Sequence, residues 1–485
     1  MTVMTDSPAL LWLRRELRLR DNPALAAAMA RGRKVVPVFV LDDTAPGRWA
    51  LGGAQRWWLH HSLAALAADL AEAGAPLVLR PGGTRGVLAD LVRETGAAEV
   101  HAGYPVEPWA RRLTDALAAE LPVPLRLHKT QTLFGPEEIR TGSGGPYGAF
   151  SPFARACRAR DGVPPPLPAP RRIPGVSGVR SESLDSWRLL PRRPDWAGGL
   201  RATWAENAVG EAPGEAGAQR RLHKFVRSGL QHYDRSRNFP GRDGVSMLSP
   251  RLHFGEISPG EAWHACERAD PAAAGARAWT DELLWREFSA HLLWHHPELT
   301  EKPLRPAFAA MPWRHDPAAL RAWQRGETGV PIVDAGMRQL WHGGWMHNRV
   351  RMLTASFLTK HLLLPWQDGA AWFWDTLVDA DLASNSAQWQ WVAGSGADAA
   401  PFFRIFNPAL QGKKFDAEGG YVRAWVPELA RMPDRFIHAP WEAPGLLLAE
   451  AGVRLGHTYP HPVVDLAHGR ARALAAVQTL PGAAA

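Results

Sequence analysis

Residues 379–408 read DADLASNSAQWQWVAGSGADAAPFFRIFNP. Two aspartates stand two residues apart, followed by Asn385, by two tryptophans with the same spacing, and by a Gly/Ser/Ala turn with an aromatic and basic exit. A core helix does not space polar residues this way, and a solvated loop does not carry Trp389, Trp391, Phe402, Phe403 and Phe406. The stretch suits a wall where large planar groups meet hydrogen-bonding side chains, as a buried aromatic cofactor with polar ring edges requires. The alternative is an aromatic core closed by capped helices.

Three further stretches carry residues of chemical use. In AWTDELLWREF (278–288), Trp279, Glu282, Trp285 and Arg286 recur at three and four residues and so share a helix face. Two indoles, a carboxylate and a guanidinium on one stripe read as a pocket wall, against an ordinary Glu282–Arg286 pair as the alternative. In WHGGWMHNRVRM (341–352), the Gly343-Gly344 break precedes a helix on which Trp345, Asn348 and Met352 share a face, with Arg349 and Arg351 elsewhere around it. His347 has no second ligand at metal spacing and reads as a structural histidine. In YDRSRNFPGRDGVSMLSPRLHFGEISP (233–259), Arg235, Arg237, Arg242 and Arg251 interleave with Tyr233, Phe239 and Phe254, a pattern that suits nucleic acid. Ser246 and Ser249 lie in a Gly/Pro-bounded loop that can hold a diphosphate. No Ser-His-Asp set, H-E-x-x-H or Walker motif is present, so aromatic surface without hydrolytic machinery points to cofactor chemistry.

The chain that must position these groups has 485 residues, enough for two or three domains. Its net charge of +8 favours an anionic partner. Cys157 and Cys266 show neither ligand spacing nor a disulfide framework, which suits a reducing, cytoplasmic interior. No run approaches membrane-spanning length. Tryptophan is unusually common, 23 against 16 Phe and 5 Tyr, and about half of it falls between Trp279 and Trp391. Apolar runs at 9–13, 34–41, 76–79, 99–102 and 125–128 alternate with helical patterns at 55–73 and 86–95, which predicts a parallel α/β domain over residues 1–135. It carries no G-x-G-x-x-G fingerprint. Residues 136–205, with PPPLPAPRRIPG (164–175), read as a long inter-domain connection. Beyond it, helical patterns at 216–230, 278–295, 332–343 and 348–361 predict a helical domain over 206–485, with a frayed alanine-rich end.

Taken together, LWLRRELRLRDNPAL (11–25), LSPRLHFGEISP (248–259), ELLWREF (282–288), TGVPIVDAGMRQL (328–340), GWMHNRVRM (344–352), DADLASNSAQWQW (379–391) and FRIFNP (403–408) resemble the photolyase/cryptochrome family. The resemblance implies a Rossmann-like parallel α/β antenna domain followed by an all-helical C-terminal domain that binds FAD. Carried over position by position, it implies that Tyr233, Val245, Ser246, Met247, Leu248, Ser249, Trp279, Glu282, Arg286, Asn348, Arg351, Asp379, Ala380, Asp381 and Asn385 line the FAD. Asn385 would face flavin N5, and Arg351 would pair with Asp379. Glu282, Trp285, Asn348, Met352 and Trp391 match the lesion pocket, while Arg237, Arg349 and Gln411 match DNA contacts. Trp389, Trp366 and Trp313 resemble the relay that feeds electrons to the photoexcited flavin.

The branches of the family differ at a few positions. Repair of the (6-4) photoproduct uses a His-His pair where this chain has His347-Asn348, and plant-type cryptochromes carry Asp where it has Asn385. Asn348, Met352 and Asn385 together resemble the enzymes that repair cyclobutane pyrimidine dimers, most closely the bacterial class III photolyases. The implied activity is a light-dependent deoxyribodipyrimidine lyase acting on ultraviolet-damaged DNA, as a monomer without a membrane anchor. The alternative is a blue-light photoreceptor that signals to a protein partner, and the helical finish soon after Pro408 favours the enzyme. Val245 and Met247 replace the hydroxyl and arginine frequent in the phosphate loop, which leaves more to Ser246, Ser249 and backbone N–H groups. PVEPWARR (105–112) lacks the Asn-Glu pair of well-known folate binders. A second, antenna chromophore is expected nonetheless, methenyltetrahydrofolate ahead of a deazaflavin.

Overall fold

The computed structural model describes residues 7–160, 162–206, 211–269, 273–398 and 403–481. The chain divides into two compact units, one of Met1–Gln231, Ser246–Pro297 and Val378–Ala383, the other of His232–Val245, Glu298–Leu377 and Ser384–Ala485.

The first unit is built on five parallel strands in the order β3-β2-β1-β4-β5: β1 Ala9–Leu13, β2 Val35–Leu41, β3 Val78–Pro81, β4 Glu99–Gly103 and β5 Leu125–His128. All five fall within a residue or two of the apolar runs. β1 is buried along its whole length, as a central parallel strand covered on both faces must be. Its Leu10 lies between Val36 and Val100, and these side chains close a core with Leu88, Leu91 and Val92 from the Thr84–Thr95 helix. The strand order reverses at β1, with β2 on one side and β4 on the other, so the ends of β1 and β4 flank a switch-point crevice. Arg14, Arg15 and Tyr104 follow those two ends.

Helices Gly53–Ala73, Glu215–Ser228 and Ala274–His295 agree with the periodic stretches to within a few residues. Two short helices, Pro23–Ala28 and Pro108–Glu120, lie outside them, and each opens with proline in its first turn, where the missing N–H costs nothing. The 136–205 stretch is not wholly irregular. It contains the helix Phe150–Arg158, which buries Phe153, Ala154 and Cys157 on one side. The proline-rich part is an extended strap, tied down by Leu167 O to Asp21 N (2.9 Å), Pro174 O to Val35 N (2.7 Å) and Ile173 N to Ala73 O (2.7 Å).

Every regular element of the second unit among the described residues is a helix. Pro331–Gly343 ends at Gly344, whose φ of 63° supplies the left-handed cap, and the next helix, Asn348–Ser356, turns back against it. Gly336 allows the close approach, since a side chain there would strike Val350 and Thr354. The pattern expected to run on to residue 361 gives way to a π turn, Phe357–His361, which turns Lys360 inward so that its Nζ donates to Ala393 O (2.6 Å). As far as residue 481 the alanine-rich end is ordered rather than frayed: Leu466–Gln478 is capped by Asp465 and packs Gly469, Ala473 and Ala476 inward, while residues 482–485 lie outside the described ones. Small side chains here serve close packing. Among the described residues no helix is long and apolar enough to cross a membrane.

Candidate functional site

In the first unit, the Ala274–His295 helix buries Trp279 and leaves Glu282, Trp285 and Arg286 partly accessible on one stripe. Arg286 is held by Gln131 O (2.5 Å) and by Glu287 (3.4 Å), so its partners are a backbone carbonyl and the neighbouring carboxylate. Glu287 in turn accepts from the backbone N–H groups of Leu133 (2.9 Å) and Phe134 (3.2 Å), and burial pushes its carboxyl up to about 7. Trp285 stacks on Phe150 at 3.8 Å between ring centres and 5° between planes. One indole face is therefore backed by protein, and the side chain stays partly accessible. Nothing in the sequence pattern links Phe150 to this helix, because it sits in the connection.

Of the residues expected to form a phosphate loop, Ser246, Met247, Leu248 and Ser249 lie in this unit. Ser246 O accepts from Arg221 Nε (2.7 Å), and Met247 adopts a left-handed backbone, φ 51°, uncommon for a residue with a side chain. Leu248 is buried, and Ser249 is exposed at the start of a short helix. Asp379 and Ala380 are buried, while Asp381 is about three-quarters buried and faces Arg15 at 3.4 Å. Arg15 also contacts Glu107 at 2.5 Å. Sequence reading missed Arg15, Glu107 and their buried neighbour His253. His253 Nε2 meets Gln55 Oε1 (3.2 Å), its Nδ1 is buried with no partner, and burial keeps the ring neutral, with the charges of Arg15, Asp381 and Arg286 acting on it.

In the second unit, Asn385 is buried and donates through Nδ2 to Ala370 O (3.0 Å), which fixes its amide plane and leaves Oδ1 free to face a ligand. One turn on, Trp389 is buried against Phe373 (5.0 Å) and Trp323 (6.2 Å), and its ring tip lies so close to Gly369 that no side chain fits there. Gly369 belongs to the Trp366–Thr376 helix, so Trp366, itself buried, starts the helix on which Trp389 packs. Trp313 is half-buried beside Phe308, Met311 and Leu363. Trp323, absent from the sequence reading, is the ring nearest Trp389 after Phe373, and its Nε1 is committed to Thr354 O (3.0 Å). Trp391 is partly accessible, with Nε1 donating to Asp398 O (3.1 Å).

Several basic residues of this unit sit on aromatic rings. Arg237 lies over Tyr233 (5.5 Å), Arg242 over Phe239 (4.6 Å), and Arg349 over Phe415 (4.5 Å) while donating to Asn238 Oδ1 (2.6 Å). Phe239 meets Phe415 edge to face at 6.1 Å, and Lys414 lies over the same ring. Gln411 is on the Pro408–Phe415 helix with them. Arg251 does not belong to this surface. It is wholly buried in the first unit, paired with Glu256 (3.3 Å) and donating to Glu211 O (2.8 Å). Asn348 is exposed at the start of its helix, and Arg351, next to the half-buried Met352, donates to Met346 O (2.7 Å). His347 caps this helix by accepting from Arg349 N through Nδ1 (3.2 Å), and burial among Arg349, Arg351 and Arg237 pushes it down to about 4. It is a neutral structural group at physiological pH.

These donors and acceptors suit FAD. An unpartnered buried imidazole nitrogen lies beside two arginines and a carboxylate in one unit, and an amide held in a fixed plane lies beside an aromatic chain in the other.

The family model described as the FAD binding domain of DNA photolyase matches residues 279–479, and the one described as DNA photolyase matches residues 9–171. The chain is 48% identical over 479 residues to a deoxyribodipyrimidine photo-lyase of Agrobacterium fabrum, covering 98% of each chain. It is 36% identical to cryptochrome-1 of Arabidopsis thaliana, over 96% of this chain and 69% of that one. The crystal structure of a bacterial class III photolyase from Agrobacterium tumefaciens matches with a TM-score of 0.92 and 47% identity, covering 98% of both chains.

Proposed function

The chain belongs to the photolyase/cryptochrome family, and from that footing we propose how it acts: it is a light-dependent carbon–carbon lyase that repairs cyclobutane pyrimidine dimers in ultraviolet-damaged DNA. The observation that carries this reading is the similarity over 98% of the chain to a deoxyribodipyrimidine photo-lyase.

Reduced FAD, when bound, supplies the photoexcited electron that opens the cyclobutane ring and takes it back, so no net redox change remains. The residues of this chain hold and shield that exchange. Trp279, Arg286, Asp381 and the Ser246–Ser249 loop would hold the cofactor. Asn385 would join them, its amide fixed on Ala370 O so that it would present a single orientation to flavin N5. Tyr233, Val245, Asn348, Arg351, Asp379 and Ala380 complete the set. Trp285 and Trp391 take the dimer that has been flipped from the duplex, a step costing a few kcal/mol that photolyases share with other enzymes acting on single bases. Trp285 is backed on one face by Phe150, and Trp391 is fixed at its ring edge by Nε1 donating to Asp398 O, so that each would turn a face to the base. Met352 and Asn348 border that pocket. Glu282 gives a hydrogen bond to a pyrimidine carbonyl oxygen as negative charge grows on it. Trp389, Trp366 and Trp313 pass an electron inward when the cofactor must be reduced. Arg237, Arg349 and Gln411 grip phosphates without reading sequence.

With this reading go a second chromophore of antenna type, folate before deazaflavin, a monomeric state and a cytoplasmic location. The parallel α/β unit with its switch-point crevice supports the first. The division into residues 1–135, 136–205 and 206–485 is likewise proposed, and limited proteolysis would test it.

The decisive experiment mixes photoreduced protein with ultraviolet-irradiated oligothymidine and follows recovery of thymine absorbance under blue light and in darkness. Recovery in light alone is expected. A bound, photoreducible flavin without recovery would overturn the lyase reading in favour of a photoreceptor.

A further inference from the structure

Arg15 stands at the end of β1, within the LWLRRELRLRDNPAL stretch but outside every set of site residues drawn from the sequence. Its backbone is fixed by the LSPRLHFGEISP segment: the Arg15 carbonyl lies against the α-carbon of Gly255, a left-handed position (φ 67°) where no side chain fits. Two residues on, Leu17 N donates to Phe254 O (3.1 Å). The guanidinium is mostly buried and one nitrogen, Nη1, serves two carboxylates, Glu107 at 2.5 Å and Asp381 at 3.4 Å. Glu107 precedes the Pro108–Glu120 helix, beyond the end of β4. The two anchors thus come from the two strands that flank the switch point, and the third member is the second aspartate of the DAD stretch. His253 and Arg286 complete the neighbourhood, and Glu16 turns away to accept from Arg14 N (3.3 Å), Arg15 N (3.2 Å) and Gln131 Nε2 (3.1 Å).

We propose that Arg15 is a positioning residue for the cofactor: bridged to Glu107, it holds the Asp381 carboxylate in the orientation in which it meets FAD. The inference rests on the reading that Asp381 lines FAD. A salt bridge on a solvated surface would contribute little. Here all three side chains are at least three-quarters buried, so removing the cation takes away the charge that Glu107 and Asp381 both contact. Because a single nitrogen makes both contacts, a lysine ammonium can replace it, whereas a neutral side chain of similar length cannot.

The test compares R15M, R15K and E107Q with the wild-type holoprotein, measuring FAD affinity by flavin fluorescence and the visible absorption band shape and midpoint potential of the bound flavin. R15M is expected to weaken FAD binding about tenfold, which is about 1.4 kcal/mol, and to alter the band shape. R15K is expected to stay within about threefold of wild type, since it keeps a point charge on a shorter reach. E107Q, which leaves Arg15 and Asp381 in place, is expected to weaken binding less than R15M. Wild-type affinity, band shape and potential in R15M would overturn the proposal, as would loss of FAD from R15K equal to that from R15M. If R15M does not fold, wild-type affinity in E107Q overturns it. A wild-type protein that holds no FAD would instead overturn the reading of the site itself.

Discussion

Glu282 is asked for one thing, a hydrogen bond to an oxygen that gains charge as the ring opens, and that makes its removal diagnostic. E282A should lower the repair yield about threefold or more, the worth of one hydrogen bond, while FAD stays bound and photoreducible. Repair measured per absorbed photon at saturating substrate checks this, and an unchanged yield removes Glu282 from the mechanism. The stripe that Glu282 shares with two indoles was legible in the sequence, and it does lie along the Ala274–His295 helix with Glu282 partly accessible. Arg15, Glu107 and Asp381 were not legible as a group. Each is a common charged residue in its own stretch, and only the parallel sheet brings the ends of β1 and β4 to the 378–383 segment. The arginine and aromatic interleaving at 233–254 was half informative: Arg237 and Arg242 do lie on rings, whereas Arg251 is spent on a buried pair with Glu256. Spacing does not reveal which arginines are inside.

At the scale of elements, helix contacts set where the relay can run. Gly369 leaves space for the Trp389 ring on the Trp366–Thr376 helix, so G369A should push that ring aside. Overpacking of this kind costs about 1–3 kcal/mol, and the expected result is a lower melting temperature together with slower flavin photoreduction. Transient absorption of the tryptophan radical checks the second effect, and photoreduction at the wild-type rate would take Trp389 out of the relay. The tie between the Ala274–His295 helix and residues 133–134 gives a prediction in pH. Burial raises the Glu287 carboxyl from its ordinary 4.5 to about 7, so between those values the folded chain binds more protons than the unfolded one. The contribution of Glu287 to stability is therefore fully present below 4.5, falls as pH rises towards 7, and is level above that. E287Q should flatten this part of the profile, and denaturant titrations of both proteins from pH 4.5 to 8 would show it. Equal slopes would mean that Glu287 does not titrate in this range. The strands were readable because each is a short apolar run between helical patterns. The Phe150–Arg158 helix and the π turn at 357–361 were not, since one lies in a proline-rich context and the other is set by Lys360 reaching Ala393 O.

For the whole molecule, a net charge of +8 and an arginine surface laid on aromatic rings make two separable demands on DNA binding. Phosphate contacts release counterions, so each contributes about 0.9 to the slope of log affinity against log salt, whatever the sequence or damage. Stacking on Trp285 and Trp391 depends on an extruded dimer and releases no counterion. R237A should therefore weaken binding to irradiated and intact duplexes alike and reduce the salt slope by about one. R349A should do the same, with some further loss because its guanidinium also lies over Phe415 and holds Asn238. W391A should leave the slope and the intact-duplex affinity where they were and lower affinity for the damaged duplex by about 1–3 kcal/mol, the worth of one stacked base. Titrations of each variant at several salt concentrations separate the two effects. If W391A changed the slope, or if R237A reduced affinity for damaged DNA alone, gripping and lesion reading could not be divided between these residues. The lesion pocket would then have to extend onto the arginine surface.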